Sequence, residues 1–407
     1  MRKILLGLLA IVALGAAGFF IFAPAIAEKS MNVVDGKPLP TISDEARALH
    51  ATLNIVDLHS DTLLWKRDMV ERGDRGHVDL PRMKDGNVAL QIFSSVTKSP
   101  QDQNYDSNPS DTDQLTALVV GQLQPIRTWN SLLERSLYHA QKLDRAVEEE
   151  RDQLFQIHGA EDIESLMRRR ESGRIGVGAM LSIEGLHNLE GDLGNLEKLH
   201  AAGFRMAGLT HFFDNKLAGS MHGEEQGGLT PFGRDVVTRM EDMGMIVDIA
   251  HCSNACLVDV FAAARRPVVS SHGGVQATCD VNRNLSDDEI RGVAATGGVI
   301  GIGYWEGAVC DTSPAAIAAA MKHVRDLVGV QHVALGSDYD GSVTVRFDTA
   351  NLVHVTQGLM EAGFTEPEIR AAMGENALRV LTTGIVPLAD LPDDSSDSDA
   401  DAVEDAA

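Results

Sequence analysis

Cysteine and basic residues are both scarce in this 407-residue chain, and each shortage excludes a class of protein. Four cysteines are too few for a disulfide framework in a chain of this length. We expect Cys252, Cys256, Cys279 and Cys310 to be buried thiols, although one disulfide could form in an oxidising compartment. The 35 Lys and Arg face 59 Asp and Glu, a net charge of −24, which argues against nucleic acid as a partner.

The N-terminus has the features of a targeting segment. Arg2 and Lys3 precede an apolar run over residues 4–22, and Ala25-Ile26-Ala27 then provides an A-x-A cleavage pattern. The run is long for a signal peptide and short for a membrane span, so residues 1–27 are expected to be a signal peptide or an N-terminal anchor. Either role predicts an exported protein, periplasmic or otherwise extracytoplasmic, with a linker over residues 28–44.

The two ends of the chain also lack the features expected of a lipoprotein and of a GPI-anchored protein. No Cys stands beside the cleavage pattern, which argues against a lipoprotein. Residues 390–407 contain eight acidic and no basic residues, and this polar end excludes a GPI-type signal. Because so few apolar residues remain to pack, we expect residues 386–407 to be an acidic disordered tail.

Between these ends, residues 45–385 alternate between short apolar runs and helical segments. The composition, 44% hydrophobic with 38 Gly, suits one large α/β domain or two smaller ones. Eight apolar runs with helical connections predict parallel strands joined by right-handed crossovers, hence a (β/α)8 barrel of the TIM type with a helical insertion over about 94–176. The runs are 55–58, 88–93, 178–183, 204–210, 245–250, 267–271, 298–302 and 332–337.

Six of the eight apolar runs are followed directly by a His, Asp or Glu residue. In a (β/α)8 barrel the C-terminal ends of the strands meet on one face, where active sites form. A single His after a strand is usually a hydrogen-bonded loop residue, but seven such residues on one face predict a metal site, since neutral His and ionised carboxylates bind zinc. In chain order the residues are His59, Asp61, Glu184, His211, His251, His272 and Asp338.

From about residue 45 to 385 the chain resembles the membrane (renal) dipeptidases of the amidohydrolase superfamily. It departs from them at Leu285-Ser286, where family enzymes tend to have Val-Pro. The motifs that carry the resemblance, specific in order and spacing, are Asp57-Leu58-His59-Ser60-Asp61, Ser182-Ile183-Glu184-Gly185, Leu209-Thr210-His211, Gly228-Leu229-Thr230-Pro231-Phe232-Gly233, Asp248-Ile249-Ala250-His251, Ser270-Ser271-His272, Arg283-Asn284 and Gly336-Ser337-Asp338-Tyr339-Asp340-Gly341.

The resemblance implies a metal-dependent hydrolase that cleaves the peptide bond of dipeptides, some with a D-residue at the C-terminal position. It implies two Zn²⁺ ions per chain. His59 and Asp61 would bind one ion, and His251 and His272 the other. Glu184 would bridge both, together with a water or hydroxide.

The resemblance also assigns the catalytic and substrate-binding residues. A bridging hydroxide would attack the peptide carbonyl, with Glu184 holding the ions and His211 donating to the developing oxyanion. Asp338 would accept the water proton and pass it towards the leaving amine. His211, Asp338 and Arg283 would contact substrate, and the planar guanidinium of Arg283 suits a free C-terminal carboxylate.

Other readings remain open beside the dipeptidase. Some amidohydrolases bridge their metals with a carboxylated Lys, but at that position this chain has Thr210-His211. Mononuclear deaminases lack a Glu ligand on the third strand. Glu184 therefore favours the dipeptidase type. A binuclear amidohydrolase acting on N-acyl amino acids or β-lactams is the alternative, as is an inactive relative that binds peptides in the envelope. A homodimer is compatible with the sequence, and the insertion over about 94–176 is expected to shape either a pocket or a subunit contact.

Overall fold

Eight parallel strands close into a barrel in this computed structural model, which describes residues 2–174 and 176–391. The barrel order is β2-β3-β5-β6-β7-β8-β9-β10, and β10 returns to β2 where Leu335 lies opposite Asp57. The predicted (β/α)8 barrel is confirmed. In chain order the strands are β1 (Val33–Val34), β2 (Ile55–Asp57), β3 (Val88–Val96), β4 (Leu154–Gln156), β5 (Val177–Glu184), β6 (Phe204–Gly208), β7 (Ile246–Asp248), β8 (Val269–Ser270), β9 (Val299–Ile302), β10 (Val333–Leu335) and β11 (Thr344–Val345).

Helices connect the strands, and many begin at residues with a clear capping function. At seven helix starts a Ser, Thr or Asp side chain accepts a hydrogen bond from the backbone N–H three residues on. In chain order the helices are α1 (Arg2–Met31), α2 (Asp44–His50), α3 (Leu80–Asp85), α4 (Leu115–Gly121), α5 (Leu132–Glu149), α6 (Ala160–Glu171), α7 (Gly194–Ala201), α8 (Pro231–Asp242), α9 (Asn254–Ala263), α10 (Asp287–Ala295), α11 (Glu306–Val309), α12 (Pro314–Val328), α13 (Val353–Glu361), α14 (Glu366–Arg370) and α15 (Asn376–Gly384).

The barrel interior is filled by apolar side chains from all eight strands. Met180 of β5, for example, packs with residues of the other strands in one buried cluster, and helices α6 and α15 add apolar residues to it. Along β5 alternate residues share a face, so Met180, Ser182 and Glu184 point the same way. The interior of the barrel is therefore apolar, and the polar side chains lie at the C-terminal ends of the strands.

One segment with helical spacing in the sequence is interrupted in the structure. The helical spacing from Leu115 to Arg151 predicts one element, but α4 ends at Gly121 and α5 begins at Leu132. Leu123 has a positive φ of 56° and Pro125 has no backbone N–H, and both interrupt a helix. The helices expected from Glu366 to Val380 are α14, a π-helical turn and α15, which ends at Gly384.

The N-terminal segment packs on the barrel. Helix α1 ends at Met31, and β1 pairs in parallel with β11, so the segment expected to be a linker contains a helix end and a strand. In the part of the chain that the structure describes, no helix is both long and apolar enough to cross a membrane. Residues 392–407 of the expected acidic tail lie outside the described residues.

The expectation of four buried thiols is wrong for two of the cysteines. Cys279 and Cys310 form a disulfide that joins segments 31 residues apart in sequence, whereas Cys252 and Cys256 are free and buried. Sequence spacing does not show which Cys meet, because the pairing depends on how the loops after β8 and β9 approach each other. The bond ties the loop that carries Arg283 to the loop that carries Trp305.

Candidate metal centre

One carboxylate oxygen lies at the centre of the predicted site. Glu184 Oε1 is 3.0 Å from Nε2 of His251, 3.3 Å from that of His272, 3.5 Å from that of His211 and 3.7 Å from that of His59. These five residues come from five different strand ends and are all buried. The barrel thus brings together side chains that are up to 213 residues apart in sequence, as the count of strand ends predicts.

Two further carboxylates lie beside His59. Its Nε2 is 3.7 Å from Asp61 Oδ1 and 3.8 Å from Asp338 Oδ1. Donor atoms converge within 4.8 Å in three groups, namely His59 with Glu184 and His272, Glu184 with His211 and His251, and His59 with Asp61 and Asp338. The groups overlap at Glu184 and at His59, so the residues form one continuous cluster.

The electrostatics of this cluster favour a bound cation. Burial raises the pKa of Glu184 well above its usual range, and the Asp61 carboxylate raises it further. Burial also raises the pKa of Asp338 to about 8. For His59, burial alone would lower the pKa, but Glu184, Asp61 and Asp338 raise it to about 10. Several buried carboxylates share one small space, and a divalent cation would offset their repulsion.

Unpartnered atoms in the cluster also fit a metal. Both ring nitrogens of His59, Oδ1 of Asp61 and Nδ1 of His251 are buried without a hydrogen-bond partner among the described residues. Such atoms are costly to bury unless they bind something. Imidazole nitrogens and carboxylate oxygens are the donor set that zinc prefers, so the residues fit the group that the sequence predicts.

Two buried aspartates that sequence reasoning left without a role fix the orientation of this cluster. Asp57 ends β2 and accepts hydrogen bonds from the backbone N–H (2.8 Å) and Oγ (2.5 Å) of Ser337, directly before Asp338. Asp248 ends β7 and accepts from Ser271 Oγ at 2.6 Å, and that oxygen lies 2.9 Å from Nδ1 of His272. The signal was present, since both strands read Ile-Val-Asp and a carboxylate in a buried strand needs a partner.

Backbone strain is concentrated at two of the predicted site residues. His251 has a φ of 65° and Asp338 a φ of 59°, a left-handed conformation that residues other than Gly adopt at a cost of about 1–3 kcal/mol. Both residues lie three positions after the end of a short strand, and each side chain is turned towards Glu184 or His59. Strain of this kind persists where surrounding contacts fix the chain, and it is common in active sites.

His211 is held in one orientation by the loop after β3. Its Nδ1 lies 3.3 Å from the carbonyl oxygen of Lys98, so Nδ1 carries the proton and donates it. Burial lowers the pKa of His211 to about 4, which leaves the ring neutral and places a lone pair on Nε2. Donation from Nε2 to an oxyanion therefore requires a second proton on the ring.

The metal centre forms the floor of a cavity of about 870 Å³, a size typical of small-molecule sites. Arg283 lines it, donates from Nη2 to the carbonyl oxygen of His272 at 2.9 Å, and lies over the ring of Trp305 at 5.8 Å. The Trp305 indole donates at 2.9 Å to the hydroxyl of Tyr105, from the insertion. Sequence reasoning missed Tyr105 and Trp305, because nothing in their local pattern places them at the barrel mouth.

This fold and this cluster together define a metal-dependent hydrolase of the (β/α)8 type. Residues 43–385 match the family described as membrane dipeptidase (peptidase family M19), and the chain belongs to that family. It is therefore a metallo-dipeptidase by class, a hydrolase that acts on peptide bonds. The family suggested by the sequence motifs is confirmed.

Individual relatives agree with this assignment. The chain is 30% identical to dipeptidase aclJ of Aspergillus oryzae (strain ATCC 42149 / RIB 40) over 348 residues, which cover 80% of this chain and 77% of the relative. The probable dipeptidase PvdM from Pseudomonas aeruginosa has a similar structure, with a TM-score of 0.69, 21% identity and coverage of 84% and 98% of the two chains. A metallo peptidase from Rhodobacter sphaeroides, solved with a phosphinate mimic of the dipeptide L-Ala-D-Ala, has a TM-score of 0.65, 22% identity and coverage of 81% and 99%.

Proposed function

We propose that the protein is a zinc-dependent dipeptidase whose substrates include dipeptides with a D-residue at the C-terminal position. The observation that carries the proposal is the position of Glu184 Oε1, 3.0–3.7 Å from four imidazole nitrogens on the floor of a cavity. The D-residue is supported by the similar Rhodobacter sphaeroides metallo peptidase, which binds a mimic of L-Ala-D-Ala.

The proposed cofactor is a pair of Zn²⁺ ions per chain. His59 and Asp61 would hold one ion and His251 and His272 the other, with Glu184 and a water or hydroxide shared between them. When bound, such ions supply an activated water nucleophile and a Lewis acid for the substrate carbonyl. The unpartnered donor atoms and the raised pKa values of the carboxylates support this assignment.

Three residues act on the substrate in this proposal. Asp338, 3.8 Å from His59 Nε2, takes up a proton and returns it to the leaving amine. Arg283 binds the C-terminal carboxylate through its planar guanidinium, which is buried and faces the cavity. His211 stabilises the carbonyl oxygen as negative charge develops there, once a proton taken up from solvent is bound to its Nε2.

Metal analysis and a substrate panel test the function together. We expect close to two zinc ions per chain after zinc-replete preparation, and hydrolysis of dipeptides with L- or D-residues at the second position. The panel would include N-acyl amino acids and β-lactams as competing substrate classes. Faster hydrolysis of either class than of any dipeptide would contradict the proposal, and fewer than one zinc per chain would favour a peptide-binding role without catalysis.

Arg283→Ala should raise KM, chiefly for substrates with a free C-terminal carboxylate. A charge-assisted hydrogen bond contributes about 1.5–3 kcal/mol, so we expect KM to rise roughly 10- to 100-fold. Steady-state kinetics on paired free and C-terminally amidated dipeptides would measure the effect. An equal rise on the amidated substrates would show that Arg283 does not bind the carboxylate, and zinc content would show whether the metal centre is intact.

We also propose that the protein is exported, with cleavage after Ala27 or retention of residues 1–27 as an anchor. The Cys279–Cys310 disulfide supports an oxidising compartment. N-terminal sequencing of the protein from its native compartment would distinguish the two forms, because cleavage makes Glu28 the first residue. Oligomeric state, including the homodimer, remains a proposal that light scattering would test.

A further inference from the structure

The loop that carries Asp338 has an unusual backbone. Asp338, Asp340 and Ser342 have φ values of 59°, 64° and 63°, so three residues other than Gly adopt left-handed conformations within five positions. Each of these conformations is unfavourable for an L-residue with a side chain. The loop therefore needs contacts from elsewhere in the fold to hold it.

Part of that support comes from Glu28, far away in sequence. The Glu28 side chain is 1% exposed, with Oε1 2.6 Å from Arg67 Nε and Oε2 accepting from Arg75 Nε at 2.8 Å. Arg67 also forms an ion pair with Asp340. One guanidinium is thus shared by Glu28 and by a strained residue two positions from Asp338.

Asp340 connects the same network to the segment that contains the proposed ligand Asp61. Its Oδ2 accepts from Thr62 Oγ1 at 2.7 Å, and Thr62 directly follows Asp61. Its Oδ1 accepts from the backbone N–H of His77 at 2.6 Å. Through Arg67, Glu28 therefore helps to hold Asp340, whose carboxylate also accepts hydrogen bonds from Thr62 and His77.

The residues after Glu28 hold the other end of the loop. Asn32 Oδ1 accepts from the backbone N–H of Ser342 at 2.9 Å. The parallel pair of β1 and β11 aligns Val33 with Thr344, and Asp35 Oδ2 accepts from Arg346 Nε at 3.1 Å. Contacts thus run along most of the loop from 340 to 346.

We propose that residues 28–35, the N-terminal strap, are a positioning element that holds Asp338 in its catalytic orientation, with Glu28 as the principal anchor. The inference rests on the proposed catalytic function of Asp338. The strap begins at the first residue after Ala27, so it stays on the chain whether or not cleavage occurs there. Its residues touch neither the proposed ligands nor Arg283 through the hydrogen bonds and ion pairs of the described chain.

The test uses the full-length, zinc-loaded chain with Glu28→Gln, Asn32→Ala and the matched control Lys29→Gln, whose side chain is exposed in the same segment. A small displacement of a catalytic group lowers turnover strongly, so we expect kcat of the Glu28 and Asn32 variants to fall about 10-fold or more. KM should stay within about 2-fold and zinc content should be unchanged, since neither the carboxylate site nor the ligands are altered. Hydrogen exchange at residues 338–345 should quicken in both variants and not in Lys29→Gln.

A rescue variant separates positioning from general stability. Ser342→Gly keeps the backbone N–H and adopts a positive φ without strain, so it should restore part of kcat when combined with Asn32→Ala. If the strap served only general stability, each variant would have a lower Tm, and kcat would not fall selectively while KM stayed unchanged.

Wild-type kcat together with wild-type exchange in Glu28→Gln would overturn the proposal, as would a loss of zinc in that variant. If the wild-type chain hydrolysed no dipeptide, the proposed function would fail. The exchange of residues 338–345 would still decide whether the strap holds the loop.

Discussion

Glu184→Gln is expected to lose bound zinc and nearly all dipeptidase activity. The amide keeps the size of the carboxylate, but its nitrogen cannot bind a cation and its oxygen carries no charge. Because Oε1 of Glu184 lies within 3.7 Å of all four imidazoles, the substitution removes the shared ligand of both proposed ions. Loss of metal removes several kcal/mol of transition-state stabilisation, so kcat/KM should fall by about 10³-fold or more.

Metal content and thermal unfolding together show whether this variant fails for the proposed reason. Without metal, burial disfavours the Glu184 carboxylate, and an uncharged amide avoids that cost. Metal-free Glu184→Gln should therefore melt no lower than metal-free wild type, while zinc should raise Tm of the wild type only. Glu161→Gln, exposed on α6, is a matched control. Two zinc ions and wild-type turnover in Glu184→Gln would show that the bridging assignment is wrong.

The residues that converge at the site were predictable because the ends of buried strands can be recognised in the sequence. A buried strand appears as an apolar run, and in a parallel barrel the residue after the run lies on one known face. His251 and His272 could therefore be placed beside Glu184 with no information about distances. The same logic did not select Asp57 and Asp248, because they lie inside the runs rather than after them, although a carboxylate in a buried strand indicates a partner.

Contacts between loops were not predictable in the same way. The Cys279–Cys310 bond and the Tyr105–Trp305 hydrogen bond join loops whose paths have no periodic pattern. Glu28 is a similar case, since its sequence suggests a solvated residue after a cleavage site, and only the fold places two arginines around it. Periodicity identifies elements of structure, whereas the contacts that orient a site depend on the loops between them.

The positive φ at His251 and Asp338 was also beyond sequence reasoning. Neither residue is Gly, so local preference favours an ordinary conformation at both positions. The barrel imposes the strained conformation through fixed neighbours, among them the bonds of Asp57 to Ser337. Sequences violate local preference most often at functional sites, and here the two strained residues belong to the predicted constellation.

Asp338→Asn is expected to lower kcat strongly while leaving zinc in place. Asn keeps the shape of Asp338 and tolerates its left-handed backbone, but it cannot accept and return a proton at neutral pH. General acid–base catalysis contributes about 10²- to 10⁴-fold, and we expect a loss of kcat on that scale with KM changed little. Kinetics with one dipeptide, alongside metal analysis, would measure both quantities.

The metal analysis of Asp338→Asn also decides between two functions for this carboxylate. Asp338 Oδ1 lies 3.8 Å from His59 Nε2 and belongs to one of the three groups of converging donor atoms, so a function as metal ligand is a definite alternative. Retention of the wild-type zinc content with a large loss of kcat would assign it to proton transfer. Loss of one ion would instead make it a ligand, because removing a ligand weakens binding whether or not a proton must move. Asp288→Asn, at a position 97% exposed on α10, provides the control for removing one negative charge elsewhere in this acidic protein.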